Sequence, residues 1–452
     1  MASAVEQLRS YMDVEDPYDY DTRTVDKLRL EAANERLQAM RQHLPVLEQR
    51  ASAAAGVDGI ERSEDLTPLL FAHSNYKSYP ESFMAQGRWD RMNAWLDTLS
   101  TVPGVRQVDV SGVTDVDDWL ARLHDNGHFA FATSGTTGKC SVLDQSSADR
   151  ADLRRIMEVN IGWGTGLKAA QDRPVFVLAP KHGFFRFVEG FAAVSDAFGR
   201  PGDVHYLIDE PMRVADANRL GALRRAMASG TAQPSEIAAA QETSAARAAE
   251  MNEALLGLVD TILEHRHEPL IIQGMWPQHF AIAEAARRKG VGDGEFHPDT
   301  VIGAGGGRKG TVLPDDFKDR VLRFYGLSRG RAQEMYGMSE MSTSFPMCTS
   351  GRFHTPPWIH TLILDAGGEQ LLNPTSGVSE GRMAFFDALI GGRWGGMITG
   401  DRVTADWDRC ACGRSGQTIL PDIVRYSEIE GGDDKLTCAG TIESYIRGQM
   451  EI

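Results

Sequence analysis

The pattern of apolar positions predicts a helix near the start of the chain. From Thr24 to Ala54, leucines and a methionine recur at near-helical spacing, with Arg, Glu and Gln between them. An apolar stripe at this period is typical of a helix that packs one face against a core. Residues 1–60 are therefore expected to form a helical N-terminal segment.

Short apolar runs separated by helical stretches indicate the class of fold. Strands that alternate with helices are typical of parallel α/β layers, so we expect an α/β protein whose large domain contains several subdomains and parallel-type sheets. Runs this short and uniformly apolar also occur in buried helices, and periodicity alone does not separate the two. The candidate strands are His128–Ala132, Val175–Ala179, Pro269–Gln273, Thr300–Gly303 and Thr361–Asp365.

A second long helix is predicted within residues 212–266, which we interpret as a helical insertion. From Ser235 to about His265 the chain is rich in Ala, Glu and Leu, and it follows Pro234 without a further proline. A proline at the start and none inside favour a continuous helix. Its apolar residues are sparse at first and dense later, so we expect an exposed helix that becomes buried toward its end. A mobile lid over an active site is the alternative.

Length and charge narrow the class of protein. The chain has 452 residues, and 47 basic against 63 acidic side chains give a net charge of −16. An acidic surface repels nucleic acids and anionic membranes, so neither is expected as a partner. No apolar run approaches the roughly 20 residues of a membrane span, and residues 1–13 lack the pattern of a signal peptide. We therefore expect a cytoplasmic protein.

The most informative segment follows the first candidate strand. Two glycines permit a tight turn with inward-pointing N–H groups, four hydroxyls add donors, and a lysine adds positive charge. These features suit a polyphosphate, although the loop is too short for the Walker pattern. A hydroxyl-rich surface turn is the alternative interpretation. The segment consists of Thr133, Ser134, Gly135, Thr136, Thr137, Gly138 and Lys139.

Three later segments also have nucleotide-binding character. A glycine run at residues 305–307 ends an apolar stretch, Glu-Met-Tyr-Gly-Met-Ser-Glu follows at 334–340, and Thr-Gly-Asp at 399–401. Glycines let a flat ring approach the backbone, a tyrosine can stack on a base, and a carboxylate can bind Mg²⁺ or accept from vicinal hydroxyls. The glycine run and Thr-Gly-Asp are weak signals alone, and their order along the chain strengthens them.

In this order the segments resemble motifs of the acyl-adenylate-forming superfamily, which includes acyl- and aryl-CoA ligases, peptide-synthetase adenylation domains and firefly-type luciferases. The resemblance covers about residues 131–434. It implies that residues 133–139 handle the ATP β- and γ-phosphates, that Glu340 holds Mg²⁺, and that Lys139 and Glu340 are catalytic. Asp401 would bind the ribose, and Arg425 would face the ribose and phosphates. The other implied nucleotide-binding residues are Gly305, Gly306, Gly307, Glu334, Met335, Tyr336 (on adenine), Gly337 and Ser339 (near the AMP phosphate).

Two branches of the superfamily look most similar. Pro68–Phe71 and Tyr76–Pro80, with the glycine run and Lys309, resemble acyl-protein synthetases of luciferase operons, and the cysteine-bearing segments resemble phenylacetate-CoA ligases. Acyl-protein synthetases are thought to hold an acyl group on a C-terminal cysteine. Two roles are therefore open for Cys438, that of a thioester-forming residue and that of a structural thiol. Cys140 is interpreted as a small packing residue.

Three cysteines and a histidine form a candidate metal set. Cys348 and His354 make one pair, and Cys410 and Cys412 make another, 56 residues after His354. Three thiolates and one imidazole are a normal structural zinc set, and the resemblance to phenylacetate-CoA ligases implies zinc. Because the pairs are far apart in sequence, four unlinked residues are the alternative.

The side chains that contact the acid are harder to predict. His182, Phe184 and Phe185 follow the candidate strand Val175–Ala179 and would form a wall of the pocket. The phenylalanines suit an aromatic or fatty group, and His182 is either a carboxylate sensor or an ordinary hydrogen-bonded histidine. We expect an aryl acid of secondary metabolism.

The end of the sequence departs from the superfamily pattern. Full members carry a C-terminal domain that supplies a lysine, and we assign residues 1–425 to the large domain and 426–452 to a short hinge remnant. A nucleotide-binding, weakly active subunit of a reductase or carrier-protein complex is therefore one alternative function. Two further possibilities remain open: a partner protein that completes the site, and a homodimer of this chain.

The sequence thus predicts a ligase that uses ATP, Mg²⁺ and a structural Zn²⁺. A carboxylic acid would attack the α-phosphorus of ATP and release pyrophosphate. A thiol of CoA, of a carrier protein or of an enzyme cysteine, or an amine, would then capture the acyl–AMP. Adenylation of another oxyanion, such as nitrite, is a further alternative.

Overall fold

The computed structural model describes residues 2–54, 59–133, 139–307, 311–374 and 376–429. The chain divides into two compact units. Unit 1 comprises Met1–Thr133, Ser141–Leu153 and Gly337–Ile452, and unit 2 comprises Ser134–Cys140 and Arg154–Tyr336. The boundary that we predict at residue 425 stays a prediction, and Cys438 and Lys309 lie outside the described residues.

Unit 1 is built around a mainly antiparallel sheet. Strands Ile359–Leu364, Val378–Asp387 and Gly396–Asp406 pair antiparallel in chain order. The expectation of a parallel layer around the predicted strand Thr361–Asp365 is therefore wrong. Its neighbours follow along the chain without an intervening helix, and strands joined by short connections pair antiparallel because a parallel pair needs a long crossover. The other strands of unit 1 are Phe71–Ala72, Phe131–Ala132, Val142–Leu143, Phe345–Pro346, Phe353–His354, Thr418–Ile419 and Val424–Arg425.

The N-terminal part of unit 1 is helical, as predicted, but the predicted helix is divided. Thr22–Met40 and Pro45–Ala53 are separate helices, not one helix over Thr24–Ala54. Pro45 has no N–H to donate to the preceding turn, so a helix restarts there. The α-helices of unit 1 are Ala4–Arg9, Thr22–Met40, Pro45–Ala53, Ser63–Leu66, Glu81–Ala85, Trp89–Asp97 and Val116–Asp125, with 3₁₀ turns at Ser10–Asp13, Thr67–Leu69, His73–Lys77, Val105–Gln107 and Tyr426–Glu428.

Unit 2 contains the parallel sheet that the sequence predicts. All neighbours in this five-stranded sheet are parallel. Odd and even residues of its strands enter different apolar clusters, with Val175 and Val177 in one and Phe176 and Leu178 in the other. Both faces are therefore covered, as parallel sheets require. The strands lie in the order Gly199–Ile208, Arg173–Pro180, Ile271–Met275, Val301–Gly305 and Ala332–Gln333.

The helices of unit 2 include the long one predicted from Ser235. The observed helix Pro234–Glu264 is exposed over most of its first half, while Leu255, Val259 and Ile262 are buried. The predicted change from exposed to buried is confirmed. None of the helices in the described ranges is both long and apolar enough to cross a membrane. The other α-helices of unit 2 are most of Ser147–Gly162, then Arg186–Phe198, Val214–Ala228, Trp276–Arg288 and Phe317–Tyr325, with a 3₁₀ turn at Arg329–Arg331.

Candidate functional site

The phosphate-loop motif begins at the end of a small hairpin in unit 1. Phe131–Ala132 pairs antiparallel with Val142–Leu143. The Thr133 N–H donates to the Ser141 carbonyl (3.0 Å), and the Ser141 N–H donates to the Thr133 hydroxyl (2.9 Å). The Thr133 oxygen therefore closes the base of the loop, and its O–H remains able to donate. The loop residues Ser134, Gly135, Thr136, Thr137 and Gly138 lie outside the described residues.

The last residues of the motif belong to unit 2. Lys139 is half-buried and Cys140 is fully buried. The Cys140 N–H donates to Asn218 Oδ1 (3.4 Å) on the helix Val214–Ala228. Cys140 is thus a buried residue in a hydrogen-bonded segment, as its interpretation as a packing residue requires.

A buried arginine holds the turn that carries Glu340 in unit 1. Arg393 donates to the backbone carbonyls of Glu340 (2.7 Å) and Asp144 (3.0 Å). Its guanidinium also lies over the Phe131 ring, 5.8 Å from the centroid. The half-buried Glu340 is therefore connected to the hairpin before the phosphate loop. Sequence reasoning missed Arg393, and its only signal was a single arginine in the glycine-rich, apolar segment 388–398.

A buried carboxylate supports the residues that follow this turn. Asp387 accepts hydrogen bonds from the backbone N–H groups of Ser342 (2.7 Å) and Leu389 (3.1 Å). Burial raises the pKa of Asp387 to about 6, because water no longer solvates the charge. Sequence reasoning missed Asp387 too, because nothing local distinguishes it from an exposed aspartate.

Gly337 and Ser339 begin the same turn. A Cβ at Gly337 would lie 2.6 Å from Ser344 Oγ and 2.9 Å from Ser344 Cα, so only glycine permits this close approach. Ser339 is half-buried. The segment has a structural reason for its glycine that is independent of any ligand.

Asp401 and Arg425 lie opposite one another on paired strands of unit 1. Gly396–Asp406 and Val424–Arg425 are antiparallel with Asp401 facing Arg425, and Arg425 Nε is 3.7 Å from Asp401 Oδ1. The Asp401 N–H donates to Thr399 Oγ1 (3.1 Å). The structure thus brings together two residues that are 24 positions apart in the sequence, 425 against 401.

The glycine run in unit 2 ends the strand Val301–Gly305. A Cβ at Gly303 would overlap the Gln273 side chain, and Gly306 and Gly307 have positive φ values of 79° and 51°. At Gly305 a Cβ would meet no described atom within 4 Å. Packing therefore explains the glycine at position 303, and backbone conformation explains those at positions 306 and 307.

A buried histidine binds the same strand. His279 Nε2 lies 3.0 Å from the Gly303 carbonyl, which only accepts, so Nε2 carries the proton. His279 Nδ1 then accepts from the Tyr325 hydroxyl at 3.4 Å. Burial lowers the pKa of His279 to about 4, so the ring is neutral at pH 7. His279 was not predicted, because a histidine on an apolar helix face carries no specific signal.

Glu334 has partners within unit 2. It accepts from Lys318 Nζ (2.5 Å) and Trp276 Nε1 (3.3 Å). Met335 and Tyr336 form a short, half-buried strand, and Met335 packs against an apolar cluster of the sheet. Glu334 and Met335 therefore have structural contacts beside the nucleotide-binding role that the resemblance implies.

The three predicted acid-contacting residues differ in exposure. His182 is exposed, Phe184 is half-buried, and Phe185 is buried at the start of the helix Arg186–Phe198. Phe185 stacks with Phe187, with centroids 5.6 Å apart. Phe185 thus packs locally, and Phe184 is the more exposed of the two phenylalanines.

The predicted Cys/His set is brought together in unit 1. Cys348 Sγ lies 3.8 Å from Cys410 Sγ, and Cys412 Sγ lies 3.4 Å from His354 Nε2. All four donor atoms lie within 4.8 Å of one another. Burial lowers the pKa of His354 to about 4, so its imidazole is neutral at pH 7. The interpretation as four unlinked residues is therefore wrong, and the donor set fits a structural zinc ion.

Two similar turns present the cysteines. The Cys348 N–H donates to the Arg352 carbonyl and the Gly351 N–H to the Cys348 carbonyl, both at 2.9 Å. The second turn has the same pattern, with Cys410 N–H to Arg414 O at 3.1 Å and Gly413 N–H to Cys410 O at 2.9 Å. Both glycines have positive φ, which suits glycine. The repeated geometry holds two thiols at equivalent positions.

Comparisons with known proteins show what the chain is similar to. No family model and no curated protein matches the sequence. The structure is similar to 2-hydroxyisobutyryl-CoA ligase in complex with 2-HIB-AMP and CoA in the thioesterification state, with a TM-score of 0.53, 16% identity, and coverage of 90% of this chain and 70% of that chain.

The same ligase in the postadenylation state, in complex with R3-HIB-AMP, is similar as well. Its TM-score is 0.52 at 15% identity, over 91% of this chain and 71% of that chain. Backbone similarity over nine-tenths of the chain at such low identity shows a shared fold. The protein therefore shares the fold of 2-hydroxyisobutyryl-CoA ligase, which confirms the predicted α/β fold class.

Proposed function

We propose that the protein is an ATP-dependent ligase that adenylates a carboxylic acid and releases pyrophosphate. Two observations support the proposal: the fold shared with a ligase whose structures hold an acyl–AMP, and the Thr-Ser-Gly-Thr-Thr-Gly-Lys segment at residues 133–139. A third observation carries the most weight: Asp401 pairs with Arg425 on adjacent strands, so that a carboxylate suited to vicinal hydroxyls lies beside a cation suited to phosphate.

In the proposed reaction the protein positions ATP and stabilises its charge. A carboxylate oxygen attacks the α-phosphorus, the bond from that phosphorus to the bridging oxygen breaks, and pyrophosphate leaves with the electron pair. Lys139 and the loop donors would stabilise negative charge on the leaving phosphates. Asp401 would accept from the ribose hydroxyls, and Tyr336 would stack on adenine. Positioning and electrostatics would carry the rate.

Glu340 is the proposed ligand of Mg²⁺. Its carboxylate is a hard oxygen donor, it is half-buried, and Arg393 binds its backbone and not its side chain. Mg²⁺, when bound, supplies charge neutralisation at the phosphates. The protein contributes a fixed turn, so that the Glu340 carboxylate need not be ordered when ATP binds.

For the acid we propose an aryl or acyl carboxylate, with Phe184 as its aromatic contact. The acceptor would be a thiol of CoA or of a carrier protein, or an amine, which attacks the acyl carbonyl while AMP leaves. The ligase with the same fold binds CoA in one of its structures. This proposal includes the similarity of the sequence to phenylacetate-CoA ligases and acyl-protein synthetases. It also includes an origin in secondary metabolism.

The Cys/His set is proposed to hold a structural Zn²⁺. Cys348, His354, Cys410 and Cys412 would occupy all four positions of a tetrahedral ion, which leaves none for a substrate. Arg414 donates to Asp16 Oδ2 (2.6 Å), and the Ser415 N–H donates to Asp19 Oδ1 (2.8 Å). The ion would therefore tie together segments that are distant in the sequence of unit 1.

Pyrophosphate exchange tests the proposed activity. The purified chain is assayed with a panel of aryl and aliphatic acids, and acid-dependent exchange is expected. Lys139→Ala should reduce it by about 100- to 1000-fold, the usual cost of one charge-stabilising group. Asp401→Asn should raise the KM for ATP, because the proposed ribose contact is weakened. Matched controls are Lys168→Ala and Asp422→Asn, both at exposed positions, which should leave exchange unchanged.

Two outcomes would favour the alternatives. ATP binding without exchange for any acid would favour a nucleotide-binding subunit. AMP release that depends on nitrite and not on carboxylate would indicate another oxyanion as the substrate. Equal activity of Lys139→Ala and the unmodified chain would contradict the role of the phosphate loop.

A further inference from the structure

A second cluster of metal-type side chains lies in unit 2. Asp203 and His205 alternate on the strand Gly199–Ile208, so they share one face of it. His265 caps the C-terminal end of the helix Pro234–Glu264. One donor atom of each of these three residues lies within 4.8 Å of the other two. Two imidazoles and one carboxylate thus converge from a strand and a helix end.

The hydrogen bonds of His265 leave one of its ring nitrogens available to a cation. His265 Nδ1 lies 2.6 Å from Glu268 Oε1, and a carboxylate only accepts, so His265 Nδ1 carries a proton. In the neutral ring, His265 Nε2 then has a lone pair, and that atom lies 3.6 Å from Asp203 Oδ1. Asp203 Oδ1 also accepts from His205 Nε2 (2.9 Å), and a cation beside His265 Nε2, or a proton on it, would relieve the repulsion between the two acceptors.

The surroundings orient the three donors. Arg200 donates to Asp203 Oδ2 (3.0 Å) and to Glu268 Oε2 (2.7 Å), so each carboxylate keeps its other oxygen for a histidine. The His205 ring stacks on Phe176 with a centroid separation of 4.8 Å. A histidine whose second nitrogen donates to a carboxylate is the usual arrangement of a metal ligand. The C-terminal end of a helix also attracts cations.

We propose that Asp203, His205 and His265 bind a divalent transition metal ion of the zinc, cobalt and nickel class. Two nitrogen donors favour these ions over Mg²⁺ and Ca²⁺, which prefer oxygen. Binding would require the Nδ1–H tautomer of His205, because its Nε2 now lies 2.9 Å from Asp203 Oδ1 as a donor. All three residues are half-buried, so water would complete the coordination. The ion would link the end of the helix Pro234–Glu264 to the strand, independently of adenylation.

Cobalt binding to the 452-residue chain, stripped of metal with a chelator, tests the proposal. Calorimetric titration counts the equivalents, and the thiolate-to-cobalt absorption bands identify ions at the Cys/His set. His265→Gln and His205→Gln should each bind one equivalent fewer than the unmodified chain and keep the thiolate bands. His267→Gln, at an exposed histidine two residues from His265, should lose none.

Thermal stability gives a second readout. Cobalt or zinc at concentrations that saturate the cluster should raise the melting temperature of His267→Gln more than that of His265→Gln. Circular dichroism establishes that each variant is folded before it is titrated. Two results would overturn the proposal and favour a protonated imidazole–carboxylate cluster. One is that all cobalt bound by the unmodified chain is accounted for by the thiolate bands. The other is that His265→Gln and His267→Gln bind the same number of equivalents.

Discussion

The two units hold their candidate nucleotide-binding segments by different means. In unit 1 the turn at Glu340 is held by charged groups, Arg393 on its carbonyl and Asp387 on the N–H groups that follow. In unit 2 the strand Val301–Gly305 is held by neighbouring strands and by the neutral ring of His279. An irregular turn has no ladder partner for its backbone groups, so buried side chains must satisfy them, whereas a strand receives most of its partners from the sheet.

This difference predicts opposite responses to pH. The pKa of Asp387 is raised by burial and that of His279 is lowered by burial. At Asp387 the native state therefore retains a proton that the unfolded chain releases, and at His279 it excludes a proton that the unfolded chain binds. Raising the pH should therefore weaken the contribution of Asp387 to unit 1, and lowering it should weaken that of His279 to unit 2.

The largest expected effect comes from removing the metal-type donors of unit 1. Cys410→Ser combined with Cys412→Ser should lower bound zinc by one equivalent and the free energy of unfolding by about 4 kcal/mol, the contribution of an ion present at 1000 times its Kd. Metal analysis and denaturant unfolding measure both effects. Cys140→Ser is the control for zinc content, since it also replaces a buried cysteine. Less than one zinc per unmodified chain would rule out the site.

Asp387→Asn should remove a pH dependence from unit 1. In the unmodified chain the contribution of Asp387 is present below pH 3.8 and is lost as the pH rises to about 6. This change in pKa corresponds to about 3 kcal/mol. Amide hydrogen exchange at residues 342–345, compared at several pH values, should show this loss in the unmodified chain and in Asp422→Asn but not in Asp387→Asn. The same slope in all three proteins would contradict the role of Asp387.

His279→Gln should remove the opposite dependence from unit 2. The contribution of a neutral His279 is present above pH 6.5 and is lost as the pH falls toward about 4. Between pH 6.5 and 5 the loss should be about 2 kcal/mol. Hydrogen exchange in the helix Trp276–Arg288 measures it, with His267→Gln as the exposed control. If acidification lowers the hydrogen-exchange protection of His279→Gln and His267→Gln equally, the comparison between the units is contradicted.

The smallest effect is expected for a partly exposed ion pair of unit 2. Lys318→Met removes the partner of Glu334 at 2.5 Å, and the two side chains are 40% and 20% exposed. Such pairs contribute about 1 kcal/mol or less because water screens them. Melting temperature is the readout, and Lys289→Met, which removes a pair with Asp260, is the control. A loss of several kcal/mol would show that unit 2 also depends on charge.

The sequence by itself determined the features that depend on neighbouring residues. The parallel strands of unit 2 and the helix Pro234–Glu264 follow from local apolar patterns, and the phosphate-loop motif is contiguous. The Cys/His set was also predictable, because four rare donor residues form two short pairs. Pro45 is likewise a local signal, because a proline marks the start of the second N-terminal helix.

Only the tertiary structure decided which distant residues meet. Arg393 reaches Asp144 across 249 positions, and His265 approaches Asp203 from another element. Aspartate, arginine and histidine are common on surfaces, so their sequence context does not distinguish a buried partner from a solvated one. The antiparallel sheet of unit 1 was likewise hidden, because the period of a strand fixes which residues share a face but not the direction of its neighbour.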